Sequence, residues 1–304
     1  MKRFLLILFV GCGFIFSGIA QDLPNTNIYL FEMEQDTGGA FLFRSPKFLT
    51  EFNQDNYNNQ PCFVGDDLLY FSARLPNSNQ NDIYAFDLEK GTKLQVTKTA
   101  ESEYSPTLMP DGFSFSAVRV EVTDDRIQRL WEFPIDRLNN GKPVFQFMTR
   151  VGYHHWIDRY RVALFLVGEP NELVIANLRN GSVERITTNV GRCFQTSPNG
   201  RLVFIDKASK TTWFIKALDL SQGSLKSEVI VRTLPGSEDF VVLTDGTILL
   251  GNGTKLYKYH PRKDTDWQEI ADFRRYNISS ITRLAVNGNG KIALVASPSP
   301  LGSQ

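Results

Sequence analysis

Residues 153–156 read Tyr153-His154-His155-Trp156 and hold two of the three histidines of the chain beside two aromatic rings. Two imidazoles can ligate a metal when further ligands converge on them. Glu103, Glu238 and Asp239 are the carboxylates that opposing loops could offer. Such a centre would suit a metal-assisted hydrolase or lyase acting on envelope or extracellular polysaccharide. Strand geometry speaks for a plainer reading. Neighbouring strand residues point to opposite faces, so at most one of His154 and His155 turns toward a shared site. Both are then ordinary interface or surface histidines, and neither a metal nor another cofactor is expected. Tyr104, Tyr153 and Trp156 join an aromatic face to a polar tip, which suits sugars and peptides. The candidate ligand-binding set is Glu103, Tyr104, Tyr153, His154, His155, Trp156, Arg192 and Asp239. No catalytic residue is assigned, because the sequence has no G-x-S-x-G, H-E-x-x-H, Gly-rich phosphate loop or C-x-x-C.

The elements that must position these residues are repeats. One phrase is a short strand, a polar turn and an apolar strand. It occurs at 61–73, 106–118, 155–167, 194–206, 240–252 and 282–296, with turns such as Pro110-Asp111-Gly112 and Pro198-Asn199-Gly200. Proline fixes φ, and Gly or Asn tolerates positive φ, so these residues recur where the chain reverses sharply. The second phrase is a hairpin at 27–45, 82–99, 129–149, 172–188, 212–233 and, weakly, 255–273. Its flanks alternate apolar and polar and are rich in β-branched and aromatic residues, the period-2 signature of strands. Successive turns are about 40 to 47 residues apart, the spacing of propeller blades.

One phrase of each type makes four antiparallel strands, or one blade. The chain opens on a lone hairpin and ends on a lone strand-turn-strand. The expected fold is therefore all-β: a six-bladed β-propeller over 21–298, its ring closed by N-terminal outer strands pairing with C-terminal inner strands. Closure of this kind removes the exposed sheet edges of an open array. The candidate site residues precede or begin the innermost strands, where loops meet around the central channel. Tyr57-Asn58-Asn59 and Asn277-Ile278-Ser279 occupy the corresponding places in two further blades.

Ser197-Pro198-Asn199-Gly200, Met109-Pro110-Asp111-Gly112, Asp87-Leu88 with Gly91 and Val96-Thr97, and Asn177-Leu178 with Gly181 and Ile186-Thr187 resemble the WD-like repeats of TolB-type six-bladed propellers. The resemblance covers nearly the whole chain beyond its first residues. It implies an exported binding scaffold. TolB proteins carry an additional N-terminal domain, for which this sequence leaves no room between Gln21 and the first hairpin.

The ends and the composition complete the reading. Lys2-Arg3, the apolar run Phe4–Phe16 and the small-residue exit Gly18-Ile19-Ala20 read as a secretory signal peptide over 1–20. The residues before Cys12 fit a lipid-attachment box poorly. No later apolar run is long enough to span a bilayer, and the tail 299–304 reads as disordered. Lys plus Arg and Asp plus Glu are 33 each, so the basic excess of a nucleic-acid binder is missing. Cys62 and Cys193 fall three blades apart, too far for a disulfide, and are expected as free thiols. The expected function is that of an exported, non-catalytic monomer, periplasmic or secreted. It binds a protein or peptide of the cell envelope at the channel mouth, with a glycan-binding module as an alternative.

Overall fold

The computed structural model describes residues 23–123, 125–220 and 226–299. The expected signal segment, and the expected tail apart from Ser299, lie outside these residues. Among these residues, twenty-four strands form six four-stranded antiparallel sheets arranged as a six-bladed β-propeller. Each repeat pair read from the sequence is one blade. In the first blade, Asn58–Phe63 is innermost, followed outward by Leu68–Ala73, Asp82–Asp87 and Thr92–Gln95. The innermost strands of the next five blades are Ser102–Leu108, Val151–Trp156, Val190–Thr196, Phe240–Val242 and Ile278–Val286.

The sixth blade joins the two ends of the chain. Its inner strands are Ile278–Val286 and Lys291–Pro298, and its outer strands are Asn27–Gln35 and Phe41–Phe48. Asn27 pairs with Ala296, and the register runs unbroken to Glu32 opposite Lys291. A polar latch ties this blade to the first. Asn58 is fully buried, donates to the carbonyls of Thr26 and Asn53, and accepts through its own carbonyl from Thr26 Oγ1 at 2.8 Å. Asn58 thus serves closure of the ring.

The apolar core is a set of six layers, one in each seam between adjacent blades. Alternation along the strands builds it, because successive side chains point to opposite sheet faces. Ile28, Leu30, Ala293 and Val295 face the first blade, while Tyr29, Phe31, Ile292 and Leu294 face the fifth. Phe31 is fully buried, edge-on to Phe273 at 4.8 Å and to Tyr276 at 5.0 Å. Polar residues fill the turns. The left-handed glycines at 112, 200, 246 and 290 each follow an innermost strand, and an added Cβ at Gly290 would strike the Met33 carbonyl at 2.6 Å.

Because Phe31 belongs to the closing strand, truncating it loosens the whole ring. Phe31→Ala is expected to lower the unfolding free energy by about 3–5 kcal/mol, measured by denaturant titration of the intact chain.

Candidate functional site

The innermost strands ring a channel, and irregularities in their pairing shape its wall. Register shifts interrupt five of the six, between Asn59 and Cys62, Tyr104 and Thr107, Val151 and Tyr153, Val190 and Phe194, and Ile281 and Arg283. An extra residue in one strand bends it and re-aims its side chains. Gln60 and Ser105 take left-handed φ at two of these points. The Gln60 amide oxygen accepts from the Ser105 backbone N–H at 2.9 Å and links two blades. In the fourth blade the irregular stretch contains Gly191, Arg192 and Cys193. A Cβ at Gly191 would stand 2.9 Å from Ile205 Cβ, so glycine lets the strand press close while Arg192 turns inward.

The result is a cavity of about 330 Å³ with walls from all six blades. At its mouth, Asp239 Oδ2 is shared by two guanidiniums. Arg192 Nε donates to it at 3.4 Å and Arg283 Nη1 at 3.3 Å. Arg283 also lies 4.9 Å over the ring of Tyr153. Tyr57 packs edge-on to Tyr104 at 6.4 Å, and burial pushes its phenol above the ordinary tyrosine range despite Arg283 and Arg192 nearby. The Tyr104 hydroxyl accepts from Asn81 Nδ2. Beside the arginines, Glu238 takes the Arg192 backbone N–H and the Lys207 ammonium. A second cavity of about 330 Å³ runs outward from this cluster between the fifth and sixth blades, sharing Arg192, Asp239 and Arg283 with the channel.

Of the residues singled out from the sequence, Tyr153, Arg192 and Asp239 meet at this mouth, and Tyr104 joins them through Tyr57. His155 lines the channel below and shares a hydrogen bond with Thr196 Oγ1 at 2.8 Å. The other three turn mainly into seams. His154 Nε2 and Trp156 Nε1 both bond to Ser116 Oγ of the second blade, at 2.7 and 2.9 Å. Glu103 is fully buried, accepting from Thr99 Oγ1 at 2.6 Å and Arg119 Nε at 3.0 Å. Arg119 lies 3.9 Å over the Trp131 ring, so this pair is a packed seam contact. The opposite directions of His154 and His155 follow the alternation expected of a strand.

Arg283 escaped the sequence reading, which sought the contribution of the sixth blade at 277–279. Two register shifts carry the mouth position further along that strand. Counting back from the turn glycine would have found it: Arg283 and Asp239 both stand seven residues before theirs, Gly290 and Gly246. Cys62 in the channel wall and buried Cys193 are both free, as their blade positions required. The Cys193 thiol is pushed up by burial and donates to the Phe240 carbonyl at 3.1 Å.

Burial holds both imidazoles neutral, lowering His154 to about 3 and His155 to about 4 from 6.5. The unfolded chain therefore takes up protons first as pH falls. The contribution of His155 to stability is complete above 6.5 and is lost as pH drops through 4. Burial raises the Glu103 carboxyl to about 7 from 4.5, so its contribution is complete below 4.5 and is lost as pH rises through 7. Replacing His155 by Gln removes one of these opposing dependences. Between pH 6.5 and 4, stability of that variant should fall less steeply than wild type by up to about 1.4 kcal/mol per pH unit, read from denaturant midpoints across pH.

No protein-family model matches the sequence, and no curated protein matches it. Solved structures do match the fold. A protein assigned as TolB from Agrobacterium tumefaciens superimposes with a TM-score of 0.66 at 10% identity, over 91% of this chain and 99% of that one. TolB from Acinetobacter baumannii gives 0.56 at 14% identity over 90% of this chain, which spans 64% of that longer protein. A chain of a nidogen/laminin complex gives 0.61 at 9% identity, over 90% of this chain and 100% of that one. Six sheets in one closed ring, with these matches, give the chain the fold of the TolB-type six-bladed β-propeller.

Proposed function

We propose that this chain is an exported, monomeric and non-catalytic β-propeller that binds a protein or peptide of the cell envelope at its channel mouth. One observation carries the reading: a polar mouth built from several blades, where Arg192, Arg283 and Asp239 stand among Tyr57, Tyr104 and Tyr153. Aromatic rings and guanidiniums around a desolvated centre are the residue types that anchor partners. The groups that could do chemistry are already engaged. His154 and His155 are neutral and bonded to hydroxyls, and the Cys193 thiol is bonded and hard to ionise. The leader at 1–20 supports export. Among the described residues no helix is long and apolar enough to cross a membrane. The resemblance to TolB-type repeats supports an envelope partner. Trp156 is enclosed in a seam and Tyr57 is equally buried, which leaves Tyr153 as the tyrosine that lines the channel.

A photo-cross-linking amino acid placed at Ser280, beside the mouth, should give a covalent adduct with an envelope protein or peptide. The same group at Glu184, on an exposed outer strand, should give none. Adducts from Glu184 and none from Ser280 would move the binding surface away from the channel and overturn the reading.

A further inference from the structure

The charges at the mouth do not balance. Two guanidiniums face one carboxylate, and both reach the same oxygen through long contacts of 3.3 and 3.4 Å. Glu238 does not correct this, because the Lys207 ammonium lies 3.3 Å from it and offsets its charge. His155 and Tyr57 are neutral at physiological pH, since burial lowers the first and raises the second. One positive charge is left over where the two cavities meet.

Arg283 carries the excess most clearly. Its side chain is only 11% exposed. Of the five N–H groups of a guanidinium, one contact to Asp239 is made among the described residues. Arg283 lines both the channel and the groove between the fifth and sixth blades. A buried charge needs a partner and satisfied hydrogen bonds. Arg192 also donates through Nη2 to the Thr282 carbonyl at 3.4 Å, so the donors left over are mainly those of Arg283. The partner that fits a guanidinium fork beside a second positive charge is a planar carboxylate.

The groove beside it has an open rim. Gly236 and Gly253 hold left-handed φ, and a Cβ on either would meet nothing within 4 Å, so that part of the rim is bare backbone. The groove and the channel each have a volume near 330 Å³, enough for a chain end or a side chain and far too small for a domain.

We infer that the mouth seats a carboxylate of a peptide between Arg192 and Arg283, with the peptide leaving through the groove between the fifth and sixth blades. The inference rests on the partner-binding reading and specifies which chemistry enters the channel. Asp239 holds the two arginines in place and competes with the incoming anion.

The test uses the chain without its leader and a hexapeptide library immobilised in three forms. These are free C-terminal acids without Asp or Glu, C-terminal amides without Asp or Glu, and amides with one Asp or Glu. Selection of the first form identifies a chain end as the source, and selection of the third identifies a side chain. The best binder is then titrated calorimetrically against three variants. Arg192→Gln should weaken it about 10- to 100-fold. Arg192→Lys keeps the charge but loses the fork, and should fall between wild type and Gln. Asp239→Asn removes the competing carboxylate and should tighten binding. A merely structural cluster would give weaker binding or loss of fold in all three, which circular dichroism at equal concentration detects.

Equal selection of acid-free amides, or affinities unmoved by Arg192→Gln and Asp239→Asn, would overturn the carboxylate seat while leaving peptide binding intact. Binding of an oligouronate without any peptide acid would overturn the peptide assignment. Binding of neither, alongside cross-links from Ser280, would overturn the inference alone. Without those cross-links the partner-binding reading falls with it.

Discussion

The structure depends on the pairing of Asn27–Gln35 with Lys291–Pro298. A four-stranded blade cannot bury both of its faces alone, and an open row of blades would leave one face bare at each end. Joining the chain termini within one sheet gives every blade two neighbours and turns six separate seams into a closed cycle. Each seam is narrow. Every blade packs on both of its faces, so stability comes from completing the set.

The same closure creates the site. With six innermost strands fixed around one axis, residues distant in sequence are brought to a common rim. Arg192, Asp239 and Arg283 come from three successive blades, and Tyr57, Tyr104 and Tyr153 from the three that complete the ring. The register shifts are what let polar side chains leave the regular alternation and face the channel. Where the regular alternation resumes, side chains turn into the seams, as His154 and Trp156 do beyond the shift in Val151–Trp156.

Buried ionisable groups are distributed unevenly over this frame. Glu103 with Arg119 is a buried contact, with the Arg119 guanidinium stacked on Trp131. Arg192 and Arg283 differ because their cluster opens on two connected cavities. Burial alone therefore does not mark a site here. The distinction is whether the unused donors of a buried charge face protein or open space.

The sequence by itself determined the repeats, the blade number and the manner of closure. Those features are written in local signals: period-2 alternation, turn residues with required backbone angles, and a constant spacing between turns. It also fixed that His154 and His155 diverge, and that Cys62 and Cys193 stand too far apart to bond. It brought out Tyr153, Arg192 and Asp239 because each lies near the start of an innermost strand. Tertiary structure decided the rest. Glu103 and Trp156 lie at similar places in the sequence yet turn into seams, since the register shift in each strand sets which face a residue takes. Arg283 was missed because two pairing irregularities move the rim position along its strand, away from the strand start, and only the distance to the turn glycine keeps a trace of it. The balance of charge at the mouth is a property of three blades together, and Coulomb interactions between them exist only once the ring is closed.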